Sequence, residues 1–198
     1  MSVSGPHQVR ILKSIASLVK RKKEKGKRMK NKEQRAAIIT GSARGIGEAI
    51  AKKFASEGIS VVITDINAEG AARVAEEINK QGGTAIYVKA DVAIKSDVQN
   101  LFEKAIAQFG AIHILVNNAA IARNVSLAEM KEEDWDSVIA VNLKGAFNCT
   151  QAVLNHMIER RYGKIVNISS AQGTGTSGTE LMASYAASKG GIIQLTKA

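Results

Sequence analysis

The 198-residue chain, with 45% hydrophobic and 23% charged residues, suits one globular domain, and it has no run of the roughly 18 apolar residues that a membrane-spanning helix needs. Its formal net charge of +10 arises in residues 1–35, which hold 12 basic and 2 acidic residues, whereas residues 36–198 hold 16 of each, so a nucleic-acid-binding globular surface is not expected. The only cysteine, Cys149, excludes an internal disulfide, and no cluster of cysteine and histidine suggests a metal, so the composition favours a cytoplasmic protein without a metal site.

Residues 1–35 form a basic extension that we predict to be flexible or partly helical. Before the basic run Lys20–Lys32, five apolar residues fall on one helical face, namely Ile11, Leu12, Ile15, Leu18 and Val19. Basic residues interrupt this segment, which is a poor fit to a secretory signal. An organellar presequence and an arm for nucleic acid or anionic lipid remain open. We favour a solvated extension, since Met29 lies just before the first predicted strand and allows a later start.

From Ala36 onward, short apolar runs alternate with helical segments, which is typical of βαβ units around a parallel sheet. The predicted strands are Ala36–Thr40, Ser60–Thr64, Thr84–Lys89, Ile112–Val116 and Lys164–Ile168. The predicted helices are Ile46–Glu57, Ala68–Gln81, Lys95–Phe109, one long helix over Asp134–Arg160, and a last helix from Ser184. Because the strands are apolar throughout, helices must cover both faces of the sheet. The pattern therefore predicts a Rossmann-type doubly wound α/β domain over residues 36–198.

A glycine-rich turn lies between the first predicted strand and the first predicted helix, over residues 40–47. In this turn Gly41 permits the sharp bend, Gly45 lets a pyrophosphate approach the backbone, and Gly47 lets the helix lie close to the sheet. The free amides and the dipole at the helix start favour phosphate. A structural turn that binds no ligand is the alternative.

Asp65, at the end of the second predicted strand, is expected to select the dinucleotide. A carboxylate there accepts both hydroxyls of an adenosine ribose and repels a 2′-phosphate, which favours NAD over NADP. A capping role for Asp65 at the following helix is the alternative. Arg44 favours the opposite choice, since a basic side chain in the turn can pair with a 2′-phosphate. We expect the repulsion by Asp65 to dominate.

A second group of residues, on and before the last predicted helix, suits proton transfer. Tyr185 and Lys189 are four residues apart and so share a helix face. A fixed cation stabilises a phenolate, which prepares a phenol for acid–base work on an alcohol or carbonyl. Ser169 and Ser170 follow the fifth strand at its carboxyl end, where a hydroxyl can hydrogen-bond a substrate oxygen. Taken alone, a tyrosine and a lysine at this spacing are also common on helix surfaces.

From Ala36 to Ala198 the chain resembles the classical short-chain dehydrogenase/reductases. The family's motifs occur in order, namely the glycine turn, Asp91-Val92, Asn117-Asn118-Ala119, Val141-Asn142, Ile168-Ser169-Ser170 and Tyr185-x-x-x-Lys189. The chain is similar to the 3-oxoacyl-[acyl-carrier-protein] reductase and the sugar or polyol dehydrogenase branches. The resemblance implies hydride transfer between a nicotinamide cofactor, NAD(H) being favoured over NADP(H), and a secondary alcohol or ketone. It also implies a homodimer or homotetramer that requires neither nucleic acid nor a membrane.

The resemblance further implies roles for individual residues. Tyr185 would be the general acid or base, Lys189 would stabilise its phenolate and bind the nicotinamide ribose, and Ser170 would hold the substrate oxygen. Asn142 would position a water that links Lys189 to solvent, and Asn117 would tie the fourth strand to its neighbours. The cofactor-binding residues would be Gly41, Ser42, Arg44, Gly45, Ile46, Gly47, Asp65, Asp91, Val92, Asn118, Ala119, Tyr185 and Lys189.

The chain departs from the family pattern in three places. Ala120 replaces the usual glycine after Ala119, and the interval between Ser170 and Tyr185 is longer than usual. Ala198 falls within the helix that carries Tyr185, whereas relatives continue with further strands, a Pro-Gly segment and a substrate lid. We therefore expect a C-terminally truncated, catalytically impaired protein whose fifth strand is an open edge. The alternative function is a dinucleotide-binding module whose basic tail binds nucleic acid or anionic membrane.

Overall fold

The structure is a computed structural model, and it describes residues 35–175 and 180–198. The predicted N-terminal extension, with its presequence and binding alternatives, lies outside the described residues apart from Arg35. Within the described part, no helix is both long and apolar enough to cross a membrane. No group of three or more His, Cys, Asp or Glu side chains in these two segments could hold a metal ion.

Five strands of the described chain form one parallel sheet, as a doubly wound fold requires. They are β1 (Ala36–Thr40), β2 (Ser60–Asp65), β3 (Ala85–Lys89), β4 (Ile114–Asn117) and β5 (Lys164–Asn167). Their order across the sheet is β3-β2-β1-β4-β5. The chain changes direction across the sheet between β1 and β4, and open α/β sheets bind ligands at the carboxyl ends of their strands beside such a switch point. A ligand site is therefore expected beyond Thr40 and Asn117.

The helices begin and end close to their predicted bounds. They are α1 (Gly45–Ser56), α2 (Ala68–Lys80), α3 (Lys95–Phe109), α4 (Glu132–Ile139), a π-helical turn (Ala140–Lys144), α5 (Gly145–Glu159), a 3-10 helix (Ala171–Thr174) and α6 (Ala183–Lys197). The 3-10 helix was not predicted, because four residues are too few to show a periodic apolar pattern.

The single long helix predicted over Asp134–Arg160 is interrupted by the π-helical turn. Gly145 donates its N–H to the carbonyl oxygen of Ala140, one residue further back than in an α-helix. Asn142 lies in this turn and is buried. Turns of this kind are frequent at functional sites. The predicted helix was thus correct in extent and wrong in its regular geometry.

Two hydrophobic clusters cover the two faces of the sheet, which confirms the prediction from the apolar strands. Alternate residues of a strand point to opposite faces, so Ala37 and Ile39 lie in the cluster with α1 and α2. Ala36 and Ile38 lie in the cluster with α3 and α5. Cys149 belongs to this second cluster, where burial raises the pKa of its thiol to about 12. The thiol is therefore a core group and not a nucleophile.

Candidate functional site

The glycine-rich turn leaves β1 at its carboxyl end and enters α1. Gly41 and Gly45 have φ of 63° and 61°, in the left-handed region that favours glycine. A Cβ on Gly41 would lie 2.7 Å from the Cα of Ala119, and a Cβ on Gly47 would lie 2.3 Å from the carbonyl oxygen of Gly41. A Cβ on Gly45 would meet nothing within 4 Å. Close packing thus requires glycine at 41 and 47, whereas Gly45 borders open space that a ligand can occupy.

Residues after β4 hold the turn in this shape. The side-chain Nδ2 of Asn118 donates to the carbonyl oxygens of Thr40 and Gly41, at 2.9 Å each. The Oγ1 of Thr40 accepts from the backbone N–H groups of Asn118 and Ala119, at 3.0 Å each. The carboxyl ends of β1 and β4 are therefore joined at the point where the ligand site is expected.

Ser42, which is predicted to contact the cofactor, makes its described hydrogen bonds within the protein. It is buried, and its Oγ donates to the carbonyl oxygen of Ile39 at 2.7 Å and accepts from the N–H of Thr64 at 3.0 Å. Its own N–H donates to the carbonyl oxygen of Thr64 at 3.1 Å. Both donors of Ser42 are thus used to fix the turn to β1 and β2, and its contact with the cofactor stays a prediction.

An open cleft of about 360 Å³ lies at the carboxyl ends of β1 to β4, within the roughly 300–1,000 Å³ of small-molecule sites. Nine predicted cofactor-binding residues line it, namely Gly41, Arg44, Gly45, Ile46, Asp65, Asp91, Val92, Asn118 and Ala119. The other described residues on its wall are Thr64, Ile66, Ala90, Ala120, Ile121 and Val141. This described wall does not include Ser42, Gly47, Tyr185 or Lys189.

The cleft has the donors and acceptors that a dinucleotide needs. α1 begins beside it without a side-chain cap, so the first amides of this helix are free to donate to phosphate. Asp65 accepts from the N–H of Ala43 through Oδ2 at 3.1 Å and from the N–H of Asn67 through Oδ1 at 3.0 Å. Each oxygen retains a lone pair for a ribose hydroxyl. Asp65 therefore supports the turn and the segment before α2, whose N-cap is Asn67 and not Asp65, and it can still accept from a ligand.

Tyr185 and Lys189 lie together on α6. The ammonium of Lys189 lies 5.6 Å from the centroid of the Tyr185 ring. Lys189 is only 3% exposed, and its Nζ donates to the carbonyl oxygen of Ile168, just after β5, at 2.6 Å. Burial lowers the pKa of Lys189, because the protein interior solvates an ammonium less well than water does. A buried cationic group is thus held beside the phenol ring.

The two serines after β5 have different partners. The Oγ of Ser169 donates to the carbonyl oxygen of Lys189 at 2.9 Å, which fixes this segment against α6. The Oγ of Ser170 donates to the Oε1 of Gln172, in the 3-10 helix. Gln172 was missed because it belongs to no motif, and its only signal was its place just after a strand. Of the two serines, Ser170 is therefore the one whose hydroxyl donates to a side chain. A substrate oxygen can replace that side-chain oxygen as the acceptor.

Asn142 connects the cleft to α6. Its Oδ1 accepts from the N–H of Ile121 at 2.8 Å, and its Nδ2 donates to the carbonyl oxygen of Ile121 at 2.9 Å and to the Oγ of Ser188 at 3.0 Å. Ile121 lines the cleft, and Ser188 directly precedes Lys189. Both N–H groups of the Asn142 side chain are used in this way. A water positioned by Asn142 would therefore have to bind another atom of this residue.

Asn117 has the structural role that was expected of it. Its Nδ2 donates to the Oδ1 of Asn167 at 2.8 Å and to the Oγ1 of Thr150 at 3.2 Å. β4 is thereby joined through side chains to β5 and to α5.

Comparison with known proteins identifies the family. A model of the short chain dehydrogenase family matches residues 35–198. The chain belongs to the short chain dehydrogenase family. The resemblance drawn from the motifs is thereby confirmed, and so is the Rossmann-type fold class.

Individual relatives of this short chain dehydrogenase have different names. It is 42% identical over 166 residues to the (2S)-[(R)-hydroxy(phenyl)methyl]succinyl-CoA dehydrogenase subunit BbsD of Thauera aromatica, covering 84% of this chain and 66% of that relative. It is 43% identical over 165 residues to the 3-oxoacyl-[acyl-carrier-protein] reductase FabG of Thermotoga maritima, covering 83% of this chain and 66% of that relative. A solved gluconate 5-dehydrogenase of Burkholderia cenocepacia, in complex with NADP and tartrate, matches with a TM-score of 0.78 and 43% identity over 83% of this chain and 64% of that one. The chain spans about two thirds of the length of these relatives.

Proposed function

We propose that this short chain dehydrogenase transfers a hydride between NAD(H) and a secondary alcohol or ketone, with residues 36–198 as the dinucleotide-binding and catalytic unit. The observation that carries the proposal is the hydrogen-bonded connection from Ile121 on the cleft wall, through Asn142, to α6. That helix carries Tyr185 and Lys189, so the cleft and the acid–base pair are fixed relative to each other. A nicotinamide dinucleotide, when bound, supplies or accepts the hydride.

Tyr185 is proposed as the general acid in carbonyl reduction and as the base in alcohol oxidation. Lys189 supports this role, because its ammonium lies 5.6 Å from the ring centroid, where a positive charge stabilises a phenolate. The described partner of this ammonium is the neutral carbonyl of Ile168 and not a carboxylate. The charge of the ammonium is therefore not neutralised by an ion pair and can act on the phenol.

Ser170 is proposed to hydrogen-bond the substrate oxygen while negative charge develops on it. Its hydroxyl is bound to the Oε1 of Gln172, so a substrate oxygen would replace this amide oxygen as the acceptor. Asn142 is proposed to position the water that links Lys189 to solvent in a proton relay, and its side chain also holds α6 through Ser188.

NAD(H) is proposed as the preferred cofactor over NADP(H). The carboxylate of Asp65 borders the cleft and would repel a 2′-phosphate. Arg44 borders the same cleft and would attract one, and the related gluconate 5-dehydrogenase was solved with NADP. Because the two residues act in opposite directions, the ratio of the Kd values for NADH and NADPH decides the question, and tighter binding of NADPH would reject the preference.

The substrate is proposed to be a 3-oxoacyl thioester or a sugar or polyol type alcohol or ketone. The names of the relatives support this range, since they include a succinyl-CoA dehydrogenase subunit, a 3-oxoacyl-[acyl-carrier-protein] reductase and a gluconate 5-dehydrogenase. A panel of such carbonyl compounds is the appropriate assay.

A homodimer or homotetramer formed through α5 is also proposed. Phe147, Leu154 and Ile158 recur on one face of this helix and are 46%, 42% and 62% exposed. An apolar stripe of this kind is typical of a protein–protein contact. Light scattering that finds only monomers would reject the assembly.

Tyr185→Phe tests the proposed function, because it removes only the phenol oxygen. NADH binding is expected to equal that of the parent, and ketone turnover is expected to fall at least about 100-fold. Tyr87→Phe is the matched control, since Tyr87 lies on β3 and is not on the described wall of the cleft. Retained turnover in Tyr185→Phe would reject the acid–base role, and a parent chain that binds neither NADH nor NADPH would reject the cofactor.

A further inference from the structure

Four charged side chains connect α1 to α2 close to the glycine turn. Glu48 is bound by Arg73 at 2.9 Å and by Lys52 at 2.6 Å, and Glu77 is bound by the same two cations at 2.7 Å each. Hydrogen bonds from Arg73 and Lys52 lower the pKa of Glu48, and those from Lys52 and Arg73 lower the pKa of Glu77. Both carboxyl groups are therefore ionised at neutral pH. The four side chains therefore form one charged network between the two helices.

One member of this network also reaches the glycine turn. The Nη2 of Arg73 donates to the carbonyl oxygen of Ala43 at 3.0 Å. The N–H of Ala43 donates to the Oδ2 of Asp65 at 3.1 Å. A Cβ on Gly70 would lie 2.9 Å from the Cβ of Ala43, so α2 is packed against the same residue. Ala43 is thus held through both of its peptide groups, one by a carboxylate and the other by a guanidinium.

The peptide that joins Ala43 to Arg44 is the one whose carbonyl oxygen accepts from Arg73. A guanidinium bound to its carbonyl oxygen withdraws electron density and strengthens its N–H as a donor. In the described part of the chain, no acceptor is bound to this N–H of Arg44, and Arg44 lines the cleft. We propose that Arg73 is a positioning residue for the dinucleotide, because it orients and polarises this peptide so that the N–H of Arg44 donates to the adenosine diphosphate part of the cofactor. The inference rests on the proposed function, since it requires a dinucleotide in the cleft.

The guanidinium geometry suits Arg73 to this task. Its Nη1 binds Glu77 at 2.7 Å, and its Nη2 binds both Glu48 at 2.9 Å and the carbonyl oxygen of Ala43 at 3.0 Å. A planar fork of donors can meet these acceptors together, whereas the single ammonium of lysine cannot do so in a fixed geometry. Arg73 is not on the described wall of the cleft, so it acts through the peptide and not by touching phosphate.

The test compares Arg73→Met with Lys52→Met. Each variant removes one cation that bridges Glu48 and Glu77, and only Arg73→Met removes the donor to Ala43. Kd values for NADH and for ADP-ribose are measured by titration calorimetry, and stability is measured by urea unfolding. Arg73→Met is expected to weaken both ligands about threefold to tenfold, whereas Lys52→Met keeps the parent affinity. Comparable losses of stability in the two variants would show that the difference in binding is not a loss of folding.

ADP-ribose lacks the nicotinamide, so an equal loss for both ligands locates the effect at the turn. Arg73→Lys is expected to be intermediate, and it decides the question should Arg73→Met fail to fold. At saturating NADH, kcat is expected to be unchanged, because only the adenosine part is affected. Parent-like affinity in Arg73→Met, or equal weakening in Lys52→Met, would overturn the inference alone. A parent chain that binds neither NADH nor ADP-ribose would overturn the inference together with the proposed function.

Discussion

Gly45→Ala and Gly58→Ala together separate backbone strain from contact with a ligand. The two glycines have φ of 61° and 76°, and a Cβ on either would meet nothing within 4 Å. Gly45 begins α1, Gly58 follows its end, and of the two only Gly45 lines the cleft. An L side chain in the left-handed region costs about 1–2 kcal/mol, so each substitution is expected to lower the free energy of unfolding by about this amount. The two variants are thus matched in strain and differ in what their methyl groups face.

The response to the cofactor is expected to differ between these variants. A methyl group on Gly45 projects into the open space where phosphate would approach the first amides of α1. Losing one charge-assisted hydrogen bond of about 1.5–3 kcal/mol weakens binding by roughly 10- to 100-fold, whereas Gly58→Ala keeps the parent Kd. Titration calorimetry with NADH and urea unfolding of the same preparations measure both quantities. Parent-like NADH affinity in Gly45→Ala, or an equal loss in Gly58→Ala, would refute the placement of phosphate against this turn.

Two further predictions concern the acid–base half of the site. Burial lowers the pKa of Lys189 in the folded chain. Between this lowered pKa and about 10.4, the pKa of an unfolded lysine, the unfolded chain binds more protons than the folded chain. The free energy of unfolding therefore rises with pH across this range. Urea unfolding of the parent and of Lys189→Met measures the difference between their free energies of unfolding. This difference should increase in favour of the parent as the pH rises through this range, and a constant difference would contradict the prediction. Gln172→Glu replaces the amide oxygen that accepts from the Ser170 hydroxyl with an ionised carboxylate, which is a stronger acceptor. Ketone turnover should therefore fall at neutral pH and recover in acid, where the carboxylate is protonated. Gln172→Leu should show no such recovery, and parent-like turnover in Gln172→Glu at neutral pH would count against the role of this contact.

Element bounds followed from the sequence where a local signal marks them. α3 begins at Lys95 and ends at Phe109 as predicted, because Gly110 ends it in the left-handed region, with φ of 73°. β4 begins at Ile114 and not at Ile112, although the backbone of His113 still bonds to both neighbouring segments. A difference of this size lies within the usual uncertainty of element ends.

Long-range hydrogen bonds are what the motifs could not predict. The glycine turn identified Gly41, Arg44 and Gly45 on the cleft wall, because phosphate binding constrains the backbone locally. The same motif gave no direction for the side chain of Ser42, whose partner Thr64 lies on another strand. Arg73 had no local signal either, since the carbonyl that it binds is 30 residues away in the chain. Contacts of this kind depend on the packing of whole elements and not on spacing along the sequence.

The π-helical turn shows why one irregularity was invisible in the sequence and still matters for the site. Besides Gly145 and Asn148, the buried residues of the segment recur as Val138, Asn142, Ala146, Cys149, Val153 and Met157. From Val138 to Met157 there are 19 residue steps over five turns, whereas five α-helical turns take about 18. The pattern of buried residues therefore resembles that of a single helix, although it contains one extra residue. Asn142 lies within this turn, and its side chain bonds to both Ile121 and Ser188. A change that restored a regular helix would turn this side chain by about 100° and separate the cleft from the acid–base pair, although every motif residue would still be present.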